Sequence, residues 1–333
     1  MFDHLSDDHR QFSDPELVCA ADIEPVSTDW LWPGWLPQGK LVLLDGNPGT
    51  GKSTLSLDVV ARLSRGESFP TTDTPIRCRT AVLSTEDAAD NTIRPRLDAA
   101  GAQVEMVDLW NWESPLPSFP ESCDWLEAAI IERELGLVVL DQLMGFLGRG
   151  IDSHRDQDVR AGLTPLAQMA DRTGATVLAL RHLNKSSNTA AIYRGGGSIA
   201  FTGVARVVLL AGIHPSGDGS LVLSQVKNNL AAPTESLRFE LVDRDDQPTL
   251  WWVGPCGLGP DELLAASPTG GGELLRAIEW LREVLSAGPV PAADVTYLGS
   301  TDGISERTLE RAKSELGVSS EKVGDHWEWS LPE

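Results

Sequence analysis

One run of residues combines glycines, a lysine and hydroxyl groups at a spacing that can do chemistry. It reads GNPGTGKST over residues 46–54, and it follows an apolar stretch and precedes a helical pattern. In a turn of the form GxxxxGK[ST], backbone N–H groups converge on phosphate oxygens, the lysine reaches the β- and γ-phosphates, and the following hydroxyl binds Mg²⁺. We therefore expect an ATP-binding phosphate loop, with Ser53 on the metal, formed by Gly46, Asn47, Pro48, Gly49, Thr50, Gly51, Lys52, Ser53 and Thr54.

A phosphate loop also needs a carboxylate on the magnesium side, at the end of a neighbouring buried strand. The apolar stretch LVVLD ends in Asp141 and has this form. The alternative is an aspartate that only caps a loop. Beside a phosphate loop, the pattern favours Asp141 as the second Mg²⁺ ligand.

The water that attacks the γ-phosphate needs a group that orients it or accepts its proton. Many ATPases carry a glutamate directly after the metal-binding aspartate, but this chain has Gln142 there. The stretch TAVLSTE delivers Glu86 to the same carboxyl edge of a parallel sheet, where ligands of open α/β folds bind. Its spacing fits equally well a capping box of Ser84 and Asp87, with Glu86 at a helix N-terminus.

Short apolar stretches alternate with helical patterns between residues 40 and 183. This alternation is typical of an α/β fold whose parallel sheet is covered by helices on both faces. The predicted strands are 40–46, 80–86, 104–110, 135–143 and 175–183, and the predicted helices are 51–65, 89–100, 121–133 and 157–173.

The sequence pattern changes beyond Arg206. Four apolar stretches separated by turn-rich clusters, at 206–213, 220–229, 236–243 and 249–254, predict antiparallel strands that extend the same sheet. A linker over 256–272 follows. Residues 273–333 then carry two amphipathic helical patterns and a final stretch, HWEWSLPE, that predicts one strand of a wing. Their apolar faces hold Leu274, Ile278, Leu281 and Leu285 in the first helix and Ile304, Leu309, Ala312 and Leu316 in the second.

The charge of the chain restricts its partners. It has 27 basic and 49 acidic residues, a net charge of −22, spread as −7 over residues 1–29, −9 over 30–272 and −6 over 273–333. No segment is a basic module, so any contact with nucleic acid has to be local. The N-terminus lacks a signal-peptide pattern, no apolar run reaches the roughly 18 residues of a membrane span, and the four cysteines lie far apart. We expect a cytoplasmic protein without membrane contact, disulfide or zinc.

Taken in order, the motifs resemble the RepA branch of the RecA-like ATPases. That branch includes hexameric plasmid helicases and ATPases of phages and mobile elements. The resemblance rests on the phosphate-loop run, then LSTED, LVVLDQL, RHLNK and GGGSIAFTGVAR, and it covers residues 28–255 approximately. It implies a RecA-like P-loop NTPase core over 30–255. Residues 1–29 are acidic and show no clear period, so we expect them to form a loosely ordered arm.

The resemblance also implies roles for single residues. Glu86 becomes the catalytic carboxylate, and His182 matches the position of a polar sensor of the γ-phosphate. Relatives form homo-oligomeric rings in which a neighbour donates a cation to the site, and Arg206 and Lys227 match those positions. The alternatives are a histidine that only completes the core and cations that pair with nearby acids.

Two loops are implied to contact single-stranded DNA in the channel of such a ring. They follow the strands that end at Asp141 and His182. The first carries Arg149, His154 and Arg155, and the second carries Lys185, Tyr193 and Arg194. Flexible glycines, basic groups and a tyrosine that can stack on a base suit single-strand binding. Mobile surface loops with solvated charges explain the composition equally well.

Residues 273–333 resemble the winged-helix tail of some RepA-like ATPases. The helix at 303–317 would be its recognition helix, presenting Arg307, Arg311 and Ser314. Glutamates at 306, 310 and 315 lie beside these groups and largely cancel their positive field. Docking on a protein partner is therefore nearly as well supported as reading DNA.

The residues and the resemblance together predict an ATP-hydrolysing motor, a DNA-dependent ATPase or helicase in replication or recombination of a plasmid, phage or mobile element. Two alternatives stay open. One is a slow regulatory or loader ATPase that recruits a replication or recombination partner through the C-terminal domain. The other is a small-molecule kinase, against which the extra antiparallel strands and the tail argue.

Overall fold

A computed structural model describes residues 17–183 and 198–266, together with 277–331 apart from 279, 283, 287, 303, 324 and 325. Up to residue 266 its strands are β1 (Trp30–Trp32), β2 (Leu36–Pro37), β3 (Leu41–Gly46), β4 (Arg79–Ser84), β5 (Val107–Leu109), β6 (Leu135–Asp141), β7 (Thr176–His182), β8 (Val207–Ile213), β9 (Leu221–Asn228), β10 (Ser236–Arg244) and β11 (Gln247–Cys256). Its helices there are α1 (Lys52–Arg65), α2 (Arg94–Ala99), α3 (Cys123–Arg133), α4 (Asp156–Thr173), α5 (Ala200–Val204) and α6 (Pro260–Ala266).

Nine of these strands form one sheet in the order β11-β10-β9-β8-β3-β7-β6-β4-β5. The six strands from β8 to β5 are parallel, and β9, β10 and β11 continue the sheet in antiparallel fashion. The predicted α/β fold with a mostly parallel sheet is therefore confirmed. Strand β7 lies between β3 and β6, so one strand separates the phosphate-loop strand from the strand that ends at Asp141.

Helices cover both faces of the parallel strands. Alternate residues of a strand point to opposite faces, so they pack against different helices. In β3, Val42 and Leu44 pack with α1 and α2 on one face, while Leu41 and Leu43 pack with α3, α4 and α5 on the other. Every residue of β3 is buried. Because both faces are covered, successive residues of these strands are buried, and this explains the continuous apolar stretches in the sequence.

A small hairpin that the sequence did not indicate precedes the phosphate-loop strand. Strands β1 and β2 pair antiparallel, and Trp32 stacks on Phe69 with ring centroids 4.5 Å apart. Trp32 also meets Trp252 of β11 edge-on, and the Trp252 indole N–H donates to Asp58 of α1 at 3.0 Å. This aromatic cluster ties α1 to the antiparallel end of the sheet.

Strand β8 differs from its prediction. The stretch 206–213 was expected to be antiparallel, but it pairs in parallel with β3. The chain between β7 and β8 includes α5 and returns to the amino edge of the sheet before β8 begins, so β8 runs in the same direction as β3. The antiparallel extension starts one strand later, at β9.

Two shorter segments also differ from their predictions. The predicted strand 104–110 is a 3-10 turn over Val104–Met106 followed by the short strand β5. The predicted linker 256–272 contains α6, and its Leu263 and Leu264 are buried in an apolar cluster with Leu210 and Val222 of β8 and β9. Residues 267–272 lie outside the described residues.

The C-terminal part has a core of its own. Its elements are β12 (Val290–Pro291), α7 (Ala292–Thr301), α8 (Glu306–Leu316), β13 (Ser319–Val323) and β14 (His326–Ser330), and β14 pairs antiparallel with both β12 and β13. Leu281, Leu309 and Trp329 are buried in this core. Helix α8 and strand β14 lie where the sequence predicted a helix and a strand, whereas α7 was not anticipated. Among the described helices, none has the length and apolar character needed to cross a bilayer.

Candidate functional site

The predicted phosphate loop lies at the carboxyl edge of the sheet, between the end of β3 and the start of α1. Gly49 and Gly51 have φ values of 78° and 72°, in the left-handed region that favours glycine. A Cβ on Gly46 would come within 2.6 Å of the Ala211 carbonyl oxygen, which leaves no room for a side chain. The loop leads directly into the N-terminus of α1, where free N–H groups and the helix dipole favour an anion.

Lys52 is the first residue of α1 and folds back over the loop. Its ammonium donates to the carbonyl oxygens of Gly46 at 2.9 Å and Asn47 at 3.0 Å. Burial lowers the pKa of Lys52 to about 8, although three nearby carboxylates attract its charge. The cation therefore stands inside the turn that would surround the β- and γ-phosphates.

Ser53 and Asp141 supply the oxygens expected of a magnesium site. Asp141, the buried last residue of β6, accepts a hydrogen bond from the Ser53 hydroxyl. Burial raises the pKa of Asp141 to about 6, and this hydrogen bond opposes the rise. Mg²⁺ takes one or two hard oxygen ligands from a protein and completes its shell with phosphate oxygens and water. The two side chains fit such an ion bound together with a nucleotide.

Glu86 reaches the same edge from the end of β4. Its Oε1 accepts a hydrogen bond from Nε2 of Gln142 at 2.6 Å. The capping alternative is met only in part. The Ser84 hydroxyl accepts from the Asp87 N–H at 3.0 Å, but the following helical segment begins later, at Ala89. Ser84 thus shapes the turn that carries Glu86.

His182 ends β7, between the phosphate loop and the strand of Asp141. Its Nδ1 lies 3.2 Å from Nζ of Lys52, and its Nε2 contacts Nε2 of Gln142. Burial and the positive charge of Lys52 lower the pKa of His182, so the ring is neutral near pH 7. The ring therefore stands beside the lysine that would bind the γ-phosphate.

These contacts form one line across the ends of four neighbouring strands. Glu86, Gln142, His182 and Lys52 follow one another across β4, β6, β7 and the turn after β3. The sequence predicted three of these four residues. The sequence assigned no role to Gln142, which stands where many ATPases carry a glutamate. Its position directly after Asp141 is the one feature of the sequence that could have indicated a place in the site.

A buried ion pair that the sequence argument missed supports this edge. Arg181 donates to both carboxylate oxygens of Asp45, at 2.9 and 2.7 Å, and both side chains are almost fully buried. The guanidinium also lies over the ring of Phe201, 4.8 Å from its centroid. Asp45 precedes Gly46 and Arg181 precedes His182, so the pair joins the two strands directly below the site. In the sequence, the sign of this ion pair is a charged residue near the end of each of two apolar stretches.

Arg206 and Lys227 lie away from the site of their own chain. The Arg206 N–H donates to the carbonyl of Leu41, at the amino end of β3, and its side chain is exposed. Lys227 pairs with Val208 at the same edge, and its ammonium donates to the carbonyls of Thr202 and Ala205 at 2.7 and 2.8 Å. The structure therefore does not bring either cation to the phosphate loop of the same chain.

The predicted DNA-contacting groups are described only in part. Arg149, His154 and Arg155 are exposed in the loop after β6, and Arg155 pairs with Asp152 at 3.4 Å. The second predicted set, Lys185, Tyr193 and Arg194, lies outside the described residues. In the C-terminal part, the expected exposed groups of α8, Arg307, Arg311 and Ser314, are exposed, and so are the glutamates at 306, 310 and 315.

The fold and the site define a P-loop ATPase: a mostly parallel sheet, a glycine-rich loop that opens a helix, and a buried carboxylate beside the loop's serine. A family model described as an AAA domain matches residues 11–188, which is more than half of the chain. The chain therefore belongs to the AAA domain family. The match includes the phosphate loop, Glu86, Asp141 and His182, and it ends before Arg206. A search of curated proteins finds no match.

The shifted pKa values of Asp141 and Lys52 predict a bell-shaped pH dependence of Mg²⁺–nucleotide binding. Below about pH 6 the free protein holds a proton on Asp141 that must leave before the metal binds. Above about pH 8 Lys52 has lost a proton that must return before it attracts phosphate. We expect the affinity for a fluorescent Mg²⁺–ATP analogue to be highest between these values and to fall up to tenfold per pH unit outside them.

Two variants separate the limbs of this profile. Lys52→Arg keeps its charge and should lose the alkaline limb, because arginine stays protonated over this range. Asp141→Asn should lose the part of the acid limb that comes from Asp141. Only the weakening caused by protonation of the nucleotide itself should remain. An affinity that is flat from pH 5 to 9 at constant ionic strength would contradict the assignment of both groups.

The buried ion pair predicts a large stability effect at Asp45. Asp45→Ala removes the carboxylate that faces the buried Arg181, and breaking a buried pair typically costs about 3–5 kcal/mol. Urea unfolding should show this loss as a lower midpoint at unchanged m-value. The paired variant Asp45→Leu with Arg181→Met should lose much less. Equal losses in the single and paired variants would show that the ion pair is not the cause.

Proposed function

We propose that this ATPase is a DNA-dependent motor of the RepA type, a helicase or strand-translocating ATPase that serves replication or recombination of a plasmid, phage or mobile element. The observation that carries the proposal is the line of contacts from Glu86 through Gln142 and His182 to Lys52. It unites a water-orienting acid, a candidate sensor and the phosphate-binding lysine at one sheet edge.

In this proposal each side chain has a separate task. Lys52 exchanges its two carbonyl contacts for oxygens of the β- and γ-phosphates. Ser53 and Asp141 hold Mg²⁺, which when bound neutralises charge on the phosphates. Glu86 has one oxygen engaged by Gln142, and its other oxygen orients the attacking water and accepts its proton. His182 stands next to Lys52 and reports whether the γ-phosphate is present.

A neighbouring subunit would complete the site. Arg206 lies beside the start of β3, roughly 16 Å from Gly46 at about 3.3 Å per strand residue. The guanidinium of Arg160 lies near Gly203, one helical turn before Arg206. Among the described residues, no carboxylate pairs with Arg160, Arg206 or Lys227. Such a basic area at the opposite edge of the sheet suits a homo-oligomeric ring in which Arg206 and Lys227 face the neighbour's γ-phosphate.

Single-stranded DNA is proposed as the polymer on which the motor acts. The loop that follows β6 leaves the sheet at the edge that holds the site, and its exposed Arg149, His154 and Arg155 provide local positive charge. Local charge is what a chain with a net charge of −22 needs for contact with DNA. The loop is thus placed to connect nucleotide state with strand binding.

A second candidate function is a loader ATPase that recruits a protein partner. It is favoured by the C-terminal part, proposed as a winged helix, where exposed glutamates flank Arg307 and Arg311 on α8. Exposed Tyr297 and Trp327 also border a groove of about 590 Å³ in that part. Aromatic side chains are enriched at protein interfaces, and acidic ones oppose DNA binding.

ATP hydrolysis measured with and without single-stranded DNA, at stated salt, tests the proposed function. We expect hydrolysis that Lys52→Ala abolishes, and a stimulation by DNA of about tenfold, a barrier change near 1.4 kcal/mol. Glu86→Gln should keep nucleotide binding while hydrolysis falls by about a hundredfold or more. Arg149→Ala should weaken the stimulation, and Arg133→Ala, an exposed arginine on α3, serves as its matched control.

The outcomes separate the two candidates. Hydrolysis that does not respond to DNA, with no strand displacement, would contradict the motor and favour the loader. Hydrolysis that survives Lys52→Ala unchanged would contradict the site itself.

Mixing experiments test the cation donated by a neighbour. Arg206→Ala subunits titrated into wild-type protein should lower activity more steeply than their fraction, because each one removes the cation from the next subunit's site. Steady-state hydrolysis across the mixing range checks this. Arg94→Ala, which changes an exposed arginine of α2, is the control. Mixing it with wild-type protein should leave the hydrolysis rate unchanged. A strictly proportional loss with Arg206→Ala would exclude donation in trans.

A further inference from the structure

Gln142 is the one member of the contact line to which the proposed function assigns no role of its own. Its side chain is buried, at 9% exposure, and is placed directly after the metal-side Asp141. A single atom, Nε2, contacts both Oε1 of Glu86, at 2.6 Å, and Nε2 of His182. Gln142 directly follows β6, which lies between β7, ending at His182, and β4, which is followed by Glu86. A side chain at this point can therefore bridge two groups that are two strands apart.

The chemistry of the two partners fixes which way the amide points. An ionised carboxylate only accepts hydrogen bonds, so the amide atom that faces Glu86 must be the NH₂ group. That group has two N–H bonds, and the second is directed at Nε2 of His182. Nε2 must then act as an acceptor and carries no proton.

The other nitrogen of the ring fits this assignment. A neutral imidazole with a bare Nε2 carries its proton on Nδ1. His182 also hydrogen-bonds to the backbone of Gly46, whose carbonyl accepts from the Lys52 ammonium at 2.9 Å. Because Nε2 faces Gln142, Nδ1 is the ring nitrogen left to donate to that carbonyl. Nδ1 lies 3.2 Å from Nζ of Lys52. Because both are donors in this arrangement, they do not bond to each other but share one carbonyl at the start of the phosphate loop. The whole line from Glu86 to Gly46 is thus consistent with a single arrangement of protons.

We infer that Gln142 is a positioning residue that holds the Glu86 carboxylate and fixes His182 as the Nδ1–H tautomer, so that the water-orienting acid and the sensor act as one unit. The tautomer part stands on the geometry alone. The coupling of the two groups in hydrolysis rests on the proposed function.

The tautomer is measured on the nucleotide-free protein by ¹H–¹⁵N correlation of the histidine rings. The chain has 6 histidines, and a His182→Asn spectrum identifies the signal of His182. We expect wild-type His182 as Nδ1–H. In Gln142→Glu the new carboxylate accepts instead of donating, so His182 should change to a form with a proton on Nε2. Gln168→Glu, the same change at an exposed position on α4, should leave the ring unchanged.

Kinetics test the coupling. Gln142→Met keeps the length of the side chain and removes both donors. We expect kcat to fall at least tenfold with KM for ATP within threefold, whereas Gln168→Met should match wild type. In a His182→Ala background the further loss caused by Gln142→Met should be under threefold, because without the ring Gln142 is no longer anchored and has already stopped holding Glu86 in place. Thermal unfolding of each variant verifies that it is folded.

Several results would overturn the inference. They are a wild-type His182 with its proton on Nε2, a Gln142→Met enzyme as fast as wild type, and fully multiplicative losses in the double variant. A wild-type protein that hydrolyses no ATP would instead refute the proposed function. The tautomer measurement needs no hydrolysis, so it still decides whether Gln142 fixes the ring.

Discussion

The register between β3 and β7 is the constraint on which the rest of the site depends, and the ion pair of Asp45 with Arg181 holds it. A one-residue slip between strands would turn every side chain to the opposite face of the sheet. Here it would also separate two buried charges, each of which costs several kcal/mol when left unpaired. Because the next residues are Gly46 and His182, the ion pair sets the height of the phosphate loop against the histidine.

The same register explains why scattered residues meet. Asp141, His182 and the phosphate loop all stand at the carboxyl ends of buried parallel strands or directly after them. Parallel strands bring those ends to one edge, so residues far apart in sequence become neighbours. This made much of the site predictable from sequence, since the loop has a local motif and each remaining group follows an apolar stretch. The family match to residues 11–188 supports the ATPase class and does not test the individual roles.

Other features could not be read from the sequence, for physical reasons. Apolar periodicity records burial but not strand direction, so β8 was assigned the wrong orientation. The pairing of Asp45 with Arg181 joins positions 136 apart, and no local pattern encodes such a contact. The contacts of Gln142 depend on side-chain positions at three strand ends. The place of Arg206 at the amino edge follows from the path through α5, which a sequence pattern does not show.

The charge balance of the site explains why nucleotide and metal belong together. Asp141 and Glu86 lie near Lys52, the lysine of the phosphate loop, and burial lowers the pKa of that lysine. The ion pair of Asp45 and Arg181 adds no net charge. A bare nucleotide therefore approaches an edge that is already negative, on a chain with a net charge of −22. A Mg²⁺ ion held by Asp141 would reverse that balance, and the charge of the bound phosphates would in turn stabilise the protonated form of Lys52. Lysine and metal would thus favour each other's binding to the same nucleotide.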